Sequence, residues 1–265
     1  MSEDTGPLAS LSLTHVYYDP TDPVSHLCAY LALVPQALVI VYATLLLSTR
    51  EAEVALLFTG QLACEAANFL LKRVIKESRP GRIPGRGYGM PSSHAQFVAF
   101  WSVSVALFLL ARHKGGPRSW PLAMRVAAVL GGFVVAGAVA VSRVYLSYHT
   151  PRQVLAGLVA GSVCAVAWFV TTSSLRSSGL LDSFLVSRLG RSLLLRDLVV
   201  EEDPTIVGWE RWERMRRKRA EVRGAVAEMR RTEEIREQTE ALASEALGGA
   251  RNRAEVRERD GRKKQ

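Results

Sequence analysis

Five apolar runs of near-membrane length constrain this 265-residue chain more than any other feature. They occupy residues 26–48, 54–71, 95–111, 122–141 and 154–175. Each is close to the ~20 residues an α-helix needs to cross the hydrocarbon core of a bilayer. Runs this long exceed strand length, and inside a bilayer every backbone N–H and C=O must be satisfied within the segment, so helices are expected. The second run is the weakest because it carries Glu65 and Asn68. An acid in a span is costly unless it faces the bundle interior, so four spans stay open beside five. The expected fold is therefore all-α, a polytopic membrane helix bundle of four to five transmembrane helices. Small residues recur in the last two runs, at Gly131, Gly132, Gly137, Gly157 and Gly161. The Gly157-x-x-x-Gly161 spacing would let two helices approach closely, although loose packing of small residues explains it equally well.

The 48% apolar content hides two regimes, a greasy body up to about residue 175 and a tail rich in Glu and Arg from about 201. The net charge is +9, yet residues 201–265 hold 17 Lys/Arg against 15 Asp/Glu. Most of the positive excess therefore sits in the body, which weakens a nucleic-acid reading and points to a local anion site. The expected organisation is an N-terminal segment 1–25, a membrane domain 26–175, an interfacial amphipathic segment 176–215 and a charged tail 216–265, helical or disordered. Trp209, Trp212 and Met215 recur at helical spacing beside Arg211, Arg214, Arg216 and Arg217, which suits a basic helix on an anionic leaflet. Lys263-Lys264 lies one place off the usual dilysine retrieval pattern. Cys28, Cys64 and Cys164 sit inside apolar runs without metal-ligand spacing and read as small core residues. Glu3 and Asp4 replace the basic start of a signal peptide, so insertion is expected to use an internal apolar run.

If all five runs span, residues 72–94 and 142–153 share one membrane face with the N-terminus, and the tail lies on the other. Arg112, Lys114, Arg118, Arg125 and Arg176 then suit a cytoplasmic face. Lys72, Arg73, Lys76, Arg79, Arg82 and Arg86 crowd the opposite face, against that rule, and binding a polyanion explains them.

Three stretches on that face carry residue types suited to phosphate chemistry. Lys72-x6-Arg79-Pro80 ends the second run; Arg offers a planar fork and Lys a point charge to phosphate oxygens. If the helix persists, Lys72 and Arg79 lie about two turns apart on one side. Snorkelling cations at a membrane edge are the bland alternative. Pro91-Ser92-Ser93-His94 directly precedes the third run, where a helix N-terminus would offer free N–H groups to an anion. An ordinary helix cap is the alternative there. Ser142-Arg143-x5-His149 returns an Arg and a His to the same face, and an interfacial cluster is the alternative. The chain has five histidines, and two of them fall in loops that topology brings together, each near an Arg. That coincidence favours one shared active site.

These three motifs, in this order and on this membrane side, resemble those of the type 2 phosphatidic acid phosphatase (PAP2) superfamily. The runs Gly89-Met-Pro-Ser-Ser-His-Ala-Gln-Phe and Ser142-Arg-Val-Tyr-Leu-Ser-Tyr-His-Thr are similar to the dolichyldiphosphatases of the endoplasmic reticulum. The opening Leu13-Thr-His-Val-Tyr-Tyr and residues 184–212 are similar to that family too, so the likeness covers roughly residues 10–215. The resemblance implies hydrolysis of dolichyl diphosphate to dolichyl phosphate and phosphate, recycling the lipid carrier of protein N-glycosylation. The site would face the lumen, and the tail the cytoplasm. By motif, His149 would be the nucleophile that forms a phosphohistidine, and His94 the acid and then the base. Lys72, Arg79, Ser92, Ser93 and Arg143 would hold the phosphate oxygens. The resemblance implies no metal or other cofactor, and the sequence has no carboxylate cluster that argues for one. The implied partners are the lipid substrate and the bilayer; no protein partner is legible.

Two positions depart from the wider superfamily. Ser93 stands where many members have Gly, which keeps the N–H and adds a hydroxyl. Gln153 stands where an Asp is usual, one helical turn after His149. Gln can orient the imidazole but supplies no charge, and the dolichyldiphosphatase pattern shares it. Glu65, on one helix face with Asn68 and Lys72, is a candidate for the missing charge; a local partner for Lys72, or a protonated acid in the bundle, is the alternative. Rival functions are another PAP2 lipid phosphatase acting on a polyprenyl diphosphate, sphingoid phosphate or phosphatidate, a non-catalytic anionic-lipid-binding membrane protein, and a membrane-tethered partner-binding helix.

Overall fold

The computed structural model describes residues 9–11, 16–80, 87–114 and 119–262. Arg82, Arg86, Arg118, Lys263, Lys264 and the Leu13–His15 opening therefore lie outside the described residues. The chain divides into two units, Met1–Ile206 and Val207–Gln265.

In the first unit, a short antiparallel ribbon of β1 (Ala9–Leu11) and β2 (Val16–Tyr18) precedes the helices. Helix α1 (Pro23–Leu31) starts on Asp22, whose side chain accepts from Val24 N–H, with Pro23 in the first turn where its missing N–H costs nothing. Pro35 cannot donate to the preceding turn, and the chain breaks at Ala32 and Leu33 before α2 (Val34–Thr49) resumes. Together α1 and α2 make one 27-residue candidate span. The remaining spans are α3 (Ala52–Ile75), α4 (Ser93–Leu107, extended by a wide turn over Phe108–Arg112), α5 (Leu122–Tyr145) and α6 (Pro151–Ser177). Among the described residues five helices are long and apolar enough to cross a membrane, and the second run is one of them.

The bundle is built inside out relative to a water-soluble one. Large apolar side chains such as Ile40, Leu62, Val134, Val141, Leu155 and Val163 face outward, as lipid-facing residues should. Polar side chains such as Gln61, Asn68 and Gln96 lie inside. Asn68 donates to Gln96 Oε1 at 2.7 Å, and Gln96 Nε2 donates to the Cys64 carbonyl at 2.9 Å, so α3 is hydrogen-bonded to the first turn of α4. The polar residue that weakened the second run is therefore a helix–helix link.

Helix α4 is the centre of the bundle, flanked by α3, α5 and α6. The α4–α6 seam depends on missing side chains. A Cβ on Gly157 would lie 2.6 Å from the Ser92 carbonyl oxygen, and one on Gly161 would overlap the Gln96 carbonyl. The Gly157-x-x-x-Gly161 pair is thus a close-approach surface; Gly131 and Gly137 of α5 face open space.

At the end of the bundle away from the three motifs, the segment after α6 folds back. It contains α7 (Leu180–Val186) and α8 (Arg188–Ser192), then pairs its backbone with residues 50–52 and with Lys114. Buried Glu53 bridges Arg112 (2.6 Å) and Arg176 (2.5 Å), and Arg176 also pairs with Asp197. Glu51 accepts from the Leu198 and Val199 N–H groups and pairs with Arg196. Arg125 donates to the Leu109 and His113 carbonyls. Sequence reading assigned Arg112, Arg125 and Arg176 to a membrane face; the structure adds that each is committed to a buried partner.

The second unit consists of one helix as far as it is described, the continuation of α9 (Pro204–Arg262), which begins in the first unit. The tail, open between helix and disorder on sequence, is helical here. Pairs three or four residues apart, Glu213 with Arg216 and Arg217 and Arg236 with Glu240, support it along its exposed length.

Candidate active site

Four helix ends and one loop meet at the motif-bearing end of the bundle. The Ser92 N–H donates to the Gln153 carbonyl at 3.1 Å, which ties the start of α4 to the start of α6. Tyr17 N–H donates to the Tyr148 hydroxyl, and the Tyr145 hydroxyl to Asp22, so the N-terminal residues join this end as the sequence predicted.

Helix α3 does not persist to Arg79. It stops at Ile75, and Lys76 takes a left-handed conformation (φ 54°) as its cap. Lys72 is consequently helical and Arg79 is in the following loop; the two-turn spacing expected on one helix is replaced by a chain reversal. The reversal turns Glu77, Ser78 and Arg79 towards α6.

Helix α4 begins at Ser93, with extended Ser92 as its cap, so a helix N-terminus does stand at the second motif. The Ser92 N–H is used by Gln153. The next N–H groups, of Ser93, His94 and Ala95, have no carbonyl one turn earlier to bond. His94 Nε2 lies 3.1 Å from the Ala32 carbonyl, at the break between α1 and α2. A carbonyl only accepts, so Nε2 carries the proton and Nδ1 the lone pair.

Helix α5 ends at Tyr145, Ser147 turns left-handed (φ 57°), and the Tyr148 and His149 N–H groups both return to the Arg143 carbonyl. The Arg143 guanidinium stacks 4.2 Å from the centre of the Tyr148 ring. Thr150 and Gln153 form a reciprocal capping box that opens α6. The box places Gln153 Oε1 3.2 Å from His149 Nδ1 and 3.3 Å from the Thr150 N–H. Gln153 Nε2 donates to Glu77 Oε1 (2.9 Å) and the Ser78 carbonyl (2.8 Å). Two acceptors facing Nε2 and the Thr150 N–H facing Oε1 settle which way the amide points. His149 Nδ1 must then carry the proton, and Nε2 holds the lone pair.

His149 is buried (4% exposed). Burial, and then the charge of Arg143, push its pKa down to about 4, against the opposing effect of the Gln153 hydrogen bond; Arg79 and Lys72 push the same way as Arg143. The ring is neutral at physiological pH. Around it, Arg143 Nε and Nη1, Arg79 Nε and Ser92 Oγ are buried without a hydrogen-bond partner among the described residues. Buried donors cost free energy unless an acceptor meets them, and a phosphate group, with several charged oxygens, suits this set.

The structure thus brings together Lys72, Arg79, Ser92, Ser93, His94, Arg143, His149 and Gln153. Glu65 lines a cavity of about 290 Å³ together with Pro35, Gln36, Val39, Ser93, His94 and Phe97. It is on the His94 side of the site. The carboxylate in contact with Gln153 is Glu77, which sequence reasoning passed over although it lies inside the first motif. Its neighbours there, Lys76 and Ser78, gave no sign that the chain reverses.

The sequence matches the PAP2 superfamily over residues 53–176. A Neurospora crassa dolichyldiphosphatase homologue is 52% identical over 84% of this chain and 98% of its own. Dolichyldiphosphatase 1 of Homo sapiens is 43% identical over 61% of this chain and 71% of its own. The dolichyldiphosphatase of Saccharomyces cerevisiae is 32% identical over 69% and 79%. The chain belongs to the dolichyldiphosphatase family of the PAP2 superfamily. Among solved structures, a transmembrane PAP2 type phosphatidylglycerolphosphate phosphatase of Bacillus subtilis aligns with TM-score 0.47 and 18% identity, over 57% of this chain and 77% of that one. The family assignment rests on the sequence relatives and the superfamily match. With five candidate spans it makes the chain a multi-pass membrane protein.

Proposed function

We propose that this dolichyldiphosphatase-family chain hydrolyses dolichyl diphosphate to dolichyl phosphate and inorganic phosphate through a phosphohistidine at His149. The observation that carries the reading is His149, held at Nδ1 by Gln153 and surrounded by Arg79, Ser92 and Arg143 donors that have no partner among the described residues. The human and yeast relatives, named dolichyldiphosphatases, supply the substrate class.

In the first step the His149 Nε2 lone pair attacks the terminal phosphorus, and the bond from that phosphorus to the bridging oxygen breaks. Lys72, Arg79 and Arg143, the Ser92 and Ser93 hydroxyls and the first N–H groups of α4 bind the non-bridging oxygens, where charge must be held in place. His94 takes up a proton at Nδ1 as the anionic diphosphate binds, its Nε2–H staying on the Ala32 carbonyl, and gives that Nδ1 proton to the departing dolichyl phosphate. In the second step Nδ1 of His94 takes a proton from water, the hydroxide attacks phosphorus, and the P–N bond breaks to free phosphate and regenerate neutral His149. Residues 26–175 would form the catalytic domain, with an interfacial segment 176–215 and a tail 216–265. The site would face the lumen of the endoplasmic reticulum, the tail the cytoplasm, and turnover would recycle the carrier for N-glycosylation.

Purified full-length protein should release phosphate from dolichyl diphosphate well ahead of dolichyl monophosphate and phosphatidate, and His149→Ala should be inactive. Equal rates on phosphatidate would redirect the assignment to another PAP2 phosphatase. A wild type as inactive as His149→Ala would leave an anionic-lipid-binding protein.

A further inference from the structure

Glu77 takes no part in the roles above, yet its position is built with care. Its side chain accepts from Gln153 Nε2 at 2.9 Å, and its own carbonyl accepts from the Gly89 N–H at 2.7 Å. Gly89 in turn closes over the amide it serves: a Cβ at that position would lie 2.9 Å from both Gln153 Nε2 and Oε1. The Gln153 amide is therefore clamped from three sides, by Glu77, by the Ser78 carbonyl and by the Gly89 backbone. Turning it over would bring its oxygen against the Glu77 carboxylate and the Ser78 carbonyl, an arrangement of acceptors without a donor.

We infer that Glu77 is a positioning residue: its carboxylate acts through the Gln153 amide to lock His149 with the proton on Nδ1 and to stabilise the ring as it gains positive charge. This rests on the proposed role of His149 as nucleophile. The physical basis is the chain Glu77 Oε1, Gln153 Nε2–H, Gln153 Oε1, His149 Nδ1–H. A carboxylate pulling on one end of an amide makes its carbonyl a better acceptor, and such polarisation adds along the chain. When Nε2 bonds to phosphorus, the ring becomes cationic and Nδ1–H a stronger donor. The stronger acceptor then matters more in the transition state than in the resting enzyme. Position 153 lacks the direct carboxylate of the wider superfamily, and the structure supplies a negative charge one residue further out, from the loop that Lys76 turns back.

The test uses full-length enzyme in detergent and dolichyl diphosphate labelled at the terminal phosphorus. Four proteins are compared: wild type, Glu77→Gln, Gln153→Glu and the exchange Glu77→Gln/Gln153→Glu. Glu77→Gln keeps an oxygen that can accept from Gln153 but removes the charge. It should slow phosphoenzyme formation and kcat about tenfold, the scale of one displaced charge, with KM within about twofold. Gln153→Glu alone puts two carboxylates in contact and should be worse. The exchange places a carboxylate on His149 Nδ1 and an amide behind it, and should recover kcat to within about threefold of wild type. A part that is merely structural predicts no such recovery, because the exchange disturbs two packed positions. An unchanged kcat in Glu77→Gln, or an exchange variant no better than Glu77→Gln, overturns the inference. If Glu77→Gln does not fold, the exchange variant decides alone, by folding and turning over or by failing to. Absence of phosphoenzyme in wild type would sink the nucleophile assignment and this inference with it. Phosphoenzyme formed at equal rates in wild type and Glu77→Gln would sink this inference only.

Discussion

Replacing Glu53 with Gln tests whether the charge cluster opposite the motifs is architectural. Glu53 is about 1% exposed and meets two guanidiniums, Arg112 at 2.6 Å and Arg176 at 2.5 Å. At an effective dielectric near 20, each pair is worth about 4 kcal/mol of gross attraction, partly offset by the cost of burying the ions. Losing a partner from a buried pair usually costs about 3–5 kcal/mol. Here the arginines keep other acceptors: Arg112 has the Phe169 carbonyl, Thr172 Oγ1 and Ser173 Oγ, and Arg176 has Asp197. The low end, about 3 kcal/mol, is therefore expected. For a helical domain of about 200 residues this is a fall in Tm of about 6–12 °C. Thermal unfolding of purified wild type and Glu53→Gln in the same micelles measures it, and hydrolysis per folded molecule at low temperature is read in parallel. Activity should be unchanged, because Glu53 is at the far end of α3 from Lys72. A Tm within about 2 °C of wild type would refute the claim that Glu53 holds this end closed. A large loss of turnover with no loss of Tm would refute its purely architectural role.

Three further outcomes follow from the same coordinates. Gly161→Ala should cost at least about 2 kcal/mol and lower turnover, because the added carbon meets the Gln96 backbone of α4; Gly131→Ala, facing open space, should be neutral or slightly stabilising through helix propensity. Unfolding curves of the two variants beside wild type make that comparison. Acid should destabilise the fold through His149. Its folded pKa of about 4 lies below the ordinary 6.5, so the unfolded chain takes up a proton first as pH falls through 6.5. Stability should drop by up to about 3 kcal/mol between pH 6.5 and 4, and level off below. Measured against His149→Gln, wild-type Tm should decline over that window; a constant difference would contradict the shift. Removing residues 216–265 should leave phosphate release from dolichyl diphosphate intact, whereas its loss would show that the tail takes part in activity.

Much of the fold was legible because its signals are local. Apolar length predicted four to five spans, the second in doubt because of Glu65 and Asn68, and the partner that satisfies Asn68, Gln96, lies 28 positions away. The Gly157-x-x-x-Gly161 spacing was ambiguous for the same reason: whether a helix lies against it depends on α4. In the site, residue type and order picked out Lys72, Arg79, Ser92, Ser93, His94, Arg143 and His149, and the family resemblance added Gln153. Sequence leaves open whether the helix persists from Lys72 to Arg79, since Lys76 is not a Gly or Asn and nothing local announces its left-handed turn.

By itself the sequence determined that four to five helices could cross a bilayer, which cations and histidines would share a side, and the family that their motifs resemble. Those properties follow from length, residue type and alternation along the chain. The tertiary structure decided the rest: which nitrogen of His149 is free, which carboxylate stands behind Gln153, and which arginines are consumed by Glu53. Each of these depends on a distance between residues far apart in sequence. A hydrogen bond has to be made within about 3 Å or not at all, so no pattern along the chain can stand in for the fold that sets it.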